Sequence, residues 1–537
     1  GRIALTYPVF NQTWDEPAHV AAGMEWLSRG SYSYEPLHPP LARVMVALGP
    51  YLDGLRSVGH ESVWLEGNAL LHGRRTYGRN LTLARLGVLP FFIMGALAVF
   101  LWTRHLFGDP PALLATLLFT TLPPVLAHAG IATTDVAATG SLALALYCAT
   151  RWLEKPSVRR GLAFGVAAAI AVLSKLSALV FLPAALLVLV LFHRRATAGE
   201  RRAASARLTA ARAAYLSAIL VVWAGYRFSV GPLVTEADIP LENRPEAQGR
   251  FGGLYRSAYA LARAPVYPAP ELFQGLAMLR GKNRAGQKAY LLGEVRHDGW
   301  WYFFPVALAV KTPIPFLLLF GIGAAAALRR SGPARWLFLA PAAAAGALLL
   351  IALPSRINIG LRHVLPIYPL MAVMAGAGAV ALWRWRAVQW IGPVATALLL
   401  GWHLAAGLRV HPDYLAYFNE AAGGHPERIL VDSDLDNGQD LWRLADTLRS
   451  RGVEEVALAY AGSATVAEHG LPRIRWLEPH RPDTGWVAAS LWSLKLGSLN
   501  QPGHDDFAWL ERHRPVALVG RSIRLYYVPP VRGDSLP

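Results

Sequence analysis

LGVLPFFIMGALAVFLWT, residues 86–103, carries no charged side chain and is followed at once by Arg104. A run this long approaches the roughly 20 apolar residues that cross a bilayer as a helix. Comparable runs recur at 111–134, 176–192, 336–355, 364–383 and 387–408. Shorter or interrupted ones lie at 136–150, 161–174, 213–226 and 299–328, the last broken by Lys311 and three prolines. About ten spans are therefore expected. The apolar opening, Ile3 to Phe10, reads as the outer end of an eleventh, first helix of which only the last part is present.

The composition agrees, with 54% hydrophobic residues, 16% charged residues and a mean hydropathy of +0.31. A soluble chain of this length is not so apolar. The net charge of +17 is explained by topology and not by nucleic acid, because much of the Lys and Arg falls in short loops between apolar runs. Cys148 is the single cysteine, which excludes an intrachain disulfide and a cysteine-based metal site.

The basic loops set an orientation. Arg104, then Arg151, Lys155, Arg159 and Arg160, then Arg194, Arg195, Arg201, Arg202, Arg207 and Arg212, then Arg329, Arg330, Arg335, Arg384 and Arg386 fall on alternate connections. The positive-inside rule assigns these to the cytoplasm. The intervening connections then face outward: loops 11–80 and 231–298, the turns at Asp135 and Lys175, 354–363, and the tail after His411.

That outer side gathers the polar residues that lie close to hydrocarbon. The first loop opens WDEPAH, residues 14–19, with Asp15 and Glu16 adjacent and His19 one turn on. Such acids are costly unless used, the alternative being a helix cap with Pro17 at its start. EPLHPPL, residues 35–41, holds Glu35 and His38 in fixed relation through its prolines, or simply marks a loop-to-helix boundary. Asp135 opens a span, as a cap or as a partner of Asp15 around a divalent cation such as Mg or Mn.

Lys175 sits between two apolar runs, where snorkelling to headgroups is the plain explanation. Arg356, Arg362 and His363 form a basic cluster on the outer side, where a bound phosphate would justify them. Lys311 faces the same cavity or belongs to an interfacial segment. Carboxylates and cations at one membrane boundary suit transfer of a sugar from a lipid phosphate. A base takes the proton of the acceptor hydroxyl, and cations or a metal stabilise the departing phosphate.

With Asp15-Glu16, His38-Pro39-Pro40-Leu41, Thr134-Asp135 and Lys175 in place, the chain resembles the glycosyltransferase C superfamily. The likeness is to its family 39, the group of protein O-mannosyltransferases and the lipid A aminoarabinose transferase. GWWYFFP at 299–305 with Lys311-Thr312-Pro313, NIGLRH at 358–363 and DNGQD at 436–440 extend the likeness over most of the chain. Asn437 stands where relatives often carry Trp.

The resemblance implies an α-helical polytopic membrane protein of about 11 transmembrane helices in a bacterial inner membrane. It implies a polyprenyl-phosphate-linked sugar as donor, inversion at the anomeric carbon, Asp15 as general base oriented by Glu16, Asp135 as the second acid, and Lys175 on the donor phosphate. Partners are then membrane lipid and an acceptor protein, lipid or glycan. A transporter or flippase of lipid-linked sugars is the alternative, but it places polar groups near the midplane.

Beyond residue 408 the apolar runs give way to mixed sequence, dividing the chain into a transmembrane domain, 1–408, and a soluble extracytoplasmic α/β domain, 409–537. Within the latter, 428–432 reads as a strand, 438–450 as an amphipathic helix, 455–460 as a second strand and 515–528 as a closing hairpin. The acids of DSDLDNGQD, 432–440, serve as helix caps, as acceptor contacts at the end of a strand, or as a poor calcium loop.

Overall fold

The computed structural model describes residues 1–73, 76–196, 204–234, 248, 252–264, 266–385, 390–498 and 505–530. Arg201, Arg202 and Arg386 of the basic series, and part of the 231–298 loop, lie outside them.

Every one of the ten apolar runs becomes a helix or a bent helix pair. Among the described residues six helices are long and apolar enough to cross a membrane: Tyr77–Phe107, Asp135–Glu154, Ala178–Ala196, Arg207–Gly225, Arg335–Ala352 and Ile391–Arg409. Two further candidates are bent pairs, Asp109–Thr120 with Pro123–Ala129 at 61° and Phe303–Lys311 with Ile314–Leu328 at 110°. Proline explains both breaks: Pro123 and Pro124 start one second half, and Pro313 precedes the other. The remaining two, Val158–Ser174 and Ile367–Trp383, are 17 residues each. The protein is polytopic. Residues 3–10 form turns, with a 3-10 helix at Ala4–Thr6.

Ile367–Trp383 lies at the centre of the bundle, its residues buried from Ile367 to Ala379. Lipid offers no hydrophobic drive between helices, so close packing depends on small residues that let backbones approach. Gly376 faces the Pro111 carbonyl and Gly378 the Leu319 carbonyl, and a Cβ at either would collide with backbone. Gly161 and Gly165 meet Ala210 and Ala214 in the same way.

The long loop 11–80 is largely helical, with helices Glu16–Arg29, Pro40–Leu52 and Val63–His72. Beyond the last span stands a five-stranded sheet in the order Arg473–Trp476, Glu455–Ala459, Gly485–Ser490, Ile523–Val528, Ala517–Val519. The first three strands are parallel and the last two antiparallel. Alternation along the strands sorts the core: Val456, Leu458, Ala488 and Leu525 pack with Leu441, Leu444 and Leu448 of helix Leu441–Ser450, while Ala457, Val487 and Tyr526 face the other side.

The expected helix and hairpin are present, but the expected strand at 428–432 is not. That segment forms 3-10 turns at Pro426–Arg428 and Asp432–Asp434. Asp432 has φ of +41°, a left-handed conformation that no strand accommodates, and the residues after it bond to the transmembrane half.

Candidate active site

Asp15 directly precedes helix Glu16–Arg29, whose first turn contains Pro17. Asp135 is the first residue of Asp135–Glu154, and Lys175 closes Val158–Ser174. The start of one helix and the end of the next lie at the same end of this antiparallel pair. Arg362 lies in the 3-10 turn Leu361–Val364, between Arg335–Ala352 and Ile367–Trp383.

These four side chains form a line of alternating charge. Arg362 Nη1 donates to Asp15 Oδ2 and stands 4.0 Å from Asp135 Oδ2. Lys175 Nζ donates to Asp135 Oδ1 at 2.6 Å, and Thr133 Oγ1 donates to Oδ2 at 3.1 Å. Asp135 is 2% exposed, Lys175 and Arg362 are 13% exposed, and Asp15 is the most open at 26%. Burial works against the Asp15 charge, but the Arg362 guanidinium outweighs it and holds the carboxyl below its ordinary range.

Glu16, the neighbouring acid, has an entirely different environment. It is fully buried, with Arg85 Nε donating to Oε1 at 2.8 Å and Nη2 to Oε2 at 2.9 Å. The Ala132 N–H donates to Oε1 and the Thr13 N–H to Oε2, each at 2.7 Å. It therefore ties the backbone before Asp15 to the turn before Asp135.

His19, Glu35 and His38 gather around the buried Arg43. Arg43 pairs with Glu35, and its Nε donates to His19 Nδ1 at 3.0 Å. Burial and Arg43 push the His19 pKa down to about 3, so the ring is neutral and its proton belongs on Nε2. His38 lies edge-on to His19 with centroids 5.1 Å apart. Burial keeps His38 and His363 neutral as well, reinforced by neighbouring cations. Among the described residues His38 Nδ1, His363 Nε2 and Arg362 Nε are buried without a hydrogen-bond partner, which leaves polar capacity free around the charge line.

Two expected residues sit apart. Arg356 is exposed, donating from Nη1 to the Arg284 carbonyl at 3.3 Å and from its N–H to Asn283 Oδ1 at 3.1 Å. Lys311 is 2% exposed, its Nζ donating to the carbonyls of Leu415 at 2.7 Å and Asp434 at 2.5 Å, with the Phe418 ring 4.2 Å away. Its ammonium thus anchors the sheet domain.

Arg85 and Arg43 were not singled out from the sequence. The available signal is basic character on the side where topology disfavours it. The 432–440 acids find protein donors. Asp434 accepts from the Leu361 N–H, Asp436 from the Trp492 and Gly438 N–H groups, and Asp440 from Ser522 Oγ and the Arg521 N–H. This is not a calcium loop.

Asp15 and Asp135 do not fit a resident divalent metal either. A guanidinium stands against both carboxylates and an ammonium fills the other side of Asp135. Among the described residues no three His, Cys, Asp or Glu side chains converge as ligands.

Residues 76–223 match the family described as dolichyl-phosphate-mannose-protein mannosyltransferase. No curated protein matches the chain in sequence. Among solved structures the chain is similar to ArnT from Cupriavidus metallidurans, both bound to undecaprenyl phosphate and in the apo state. Each is 14% identical, with 97% of this chain and 95% of that one covered and a TM-score of 0.50. The fold is of the glycosyltransferase C type. A weaker likeness links it to the oligosaccharyltransferase of Archaeoglobus fulgidus in the apo form, 14% identical over 76% of this chain and 53% of that one, with a TM-score of 0.44.

Proposed function

We propose that this protein is an inverting glycosyltransferase that moves a sugar from a polyprenyl-phosphate donor to an extracytoplasmic acceptor in a bacterial inner membrane. The observation that carries this reading is the Asp15–Arg362–Asp135–Lys175 line at the ends of the spans, where a lipid-anchored phosphate resides. Matched residues 76–223 include Asp135 and Lys175, and the relative's undecaprenyl phosphate supports a lipid-phosphate donor.

In the reaction Asp15 takes the acceptor proton, the freed oxygen bonds to the anomeric carbon, and the carbon–phosphate oxygen bond breaks with its electron pair passing to the phosphate. Lys175 and Arg362 stabilise that charge. Arg362, which pairs with Asp15 and stands beside Asp135, thereby gains a further partner, and Asp15 is released to act as base. Glu16 and the Arg43 network with His19, Glu35 and His38 hold the base in place. Residues 1–408 form the catalytic membrane domain and 409–537 the extracytoplasmic domain. The acceptor is a protein hydroxyl, a lipid or a glycan.

The test is a transfer assay on detergent-purified protein with radiolabelled polyprenyl-phosphate sugars. Asp15→Asn is expected to abolish donor consumption while leaving donor binding near wild type. Lys175→Ala and Arg362→Ala are expected to weaken binding by about 2 kcal/mol each, the size of a lost charge-assisted contact. Unchanged affinity in both would remove the phosphate assignment, and a glycosyl adduct on Asp15 would remove the single-displacement mechanism.

A further inference from the structure

One loop of the sheet domain reaches the charge line and holds the backbone on both sides of the Asp15–Arg362 pair. On the Arg362 side, the Leu361 N–H donates to Asp434 Oδ1 and Oδ2 at 3.1 and 3.2 Å, and Ser433 Oγ donates to the Ile359 carbonyl. On the Asp15 side, the Trp14 N–H donates to the Asn437 carbonyl at 3.0 Å. Asn11 Nδ2 donates to the Gly438 carbonyl at 2.8 Å, and Asn11 Oδ1 accepts from the Leu441 N–H at 2.8 Å.

These contacts are dry. Ser433 and Asp434 are 1% and 2% exposed, and Asn11 is fully buried. A buried carboxylate is costly without partners, so its position is strongly determined by the donors it meets. Lys311 Nζ completes the attachment through the Asp434 carbonyl. Gly360, with φ of +152°, lies against Ser433 so closely that a Cβ would collide with the hydroxyl.

We infer that the 433–441 loop sets the register between the base and the phosphate-binding arginine, with Asp434 as a positioning residue for Arg362. This rests on the glycosyltransferase reading and gives the C-terminal domain its task in that reaction. A domain merely tethered to the last span needs no contact with residues 11–14 and 359–361. Here a single loop joins two segments that are 347 residues apart at the ion pair itself. Asp434 touches neither donor nor acceptor; it fixes the N–H one residue before Arg362 and so fixes where the guanidinium starts.

The test is a double-mutant cycle on the full chain in detergent, read as the dissociation constant of polyprenyl monophosphate without sugar. Asp434→Ala is expected to weaken binding roughly tenfold in the wild-type background and little in the Arg362→Ala background, as for residues that act through one network. Asp434→Asn keeps an acceptor for the Leu361 N–H and is expected to restore most of the affinity. Ser433→Ala removes a single contact and serves if Asp434→Ala does not fold, with the same dependence on Arg362. Equal losses in both backgrounds, or wild-type binding by Asp434→Ala or by the folded Ser433→Ala protein, would overturn the inference and leave the phosphate role of Arg362 standing. Unchanged binding by Arg362→Ala would overturn both, so the two failures are distinguishable.

Discussion

Asp15 and Glu16 are chemically alike and adjacent, yet the structure separates their roles by the water each can reach. Asp15 keeps an exposed edge and pairs with Arg362, whereas Glu16 is fully buried and accepts from Arg85, the Ala132 N–H and Thr13. Glu16→Ala leaves Arg85 buried and uncompensated, a defect that costs about 3–5 kcal/mol. Its expected signature is a fall in thermal midpoint and folded yield, in contrast to Asp15→Asn, which keeps its fold and loses turnover. A Glu16→Ala protein as stable as wild type would contradict the supporting role. Sequence shows that acids stand here, but only tertiary structure brings Arg85 across 69 positions to tell them apart.

At the scale of elements, the helices were readable because each must bury its own backbone groups in hydrocarbon, which imposes a length and a composition. The 428–441 segment was not. Its hydrophobic pattern is that of a strand, but its partners, Asn11, Trp14, Ile359 and Leu361, are remote in sequence and no local rule reports them. Its acids supply a pH test. Burial lifts Asp436 to about 7, against the pull of the Trp492 and Gly438 N–H groups. An unfolded carboxyl titrates near ~4, so between these values the folded chain keeps a proton that the unfolded chain has lost. The contribution is full below pH ~4 and is lost as pH rises through about 7. Buried neutral histidines such as His19 act with the opposite sign over part of this window, so the readout is the difference between proteins. Asp436→Asn is expected to be less stable than wild type at pH 5, with the gap in thermal midpoint narrowing by pH 8. A gap independent of pH would show that Asp436 does not titrate there.

For the whole molecule, orientation is the property on which the proposed function depends. Asp135 and Lys175 occupy one end of the helix pair Asp135–Glu154 and Val158–Ser174, while Arg151, Lys155, Arg159 and Arg160 crowd the other. The proposed orientation keeps the basic loops in the cytoplasm and puts the charge line and the sheet domain outside, on the face where the proposed extracytoplasmic acceptor is met. Cys148 is the only native thiol, so a Cys148→Ser background allows single-cysteine mapping. Arg356 and Arg159 are both exposed and lie on opposite sides of this scheme. In intact cells Arg356→Cys is expected to react with a membrane-impermeant thiol reagent, whereas Arg159→Cys reacts only after permeabilisation. The reverse labelling would place Asp15 on the cytoplasmic face, and the acceptor would then have to be sought there.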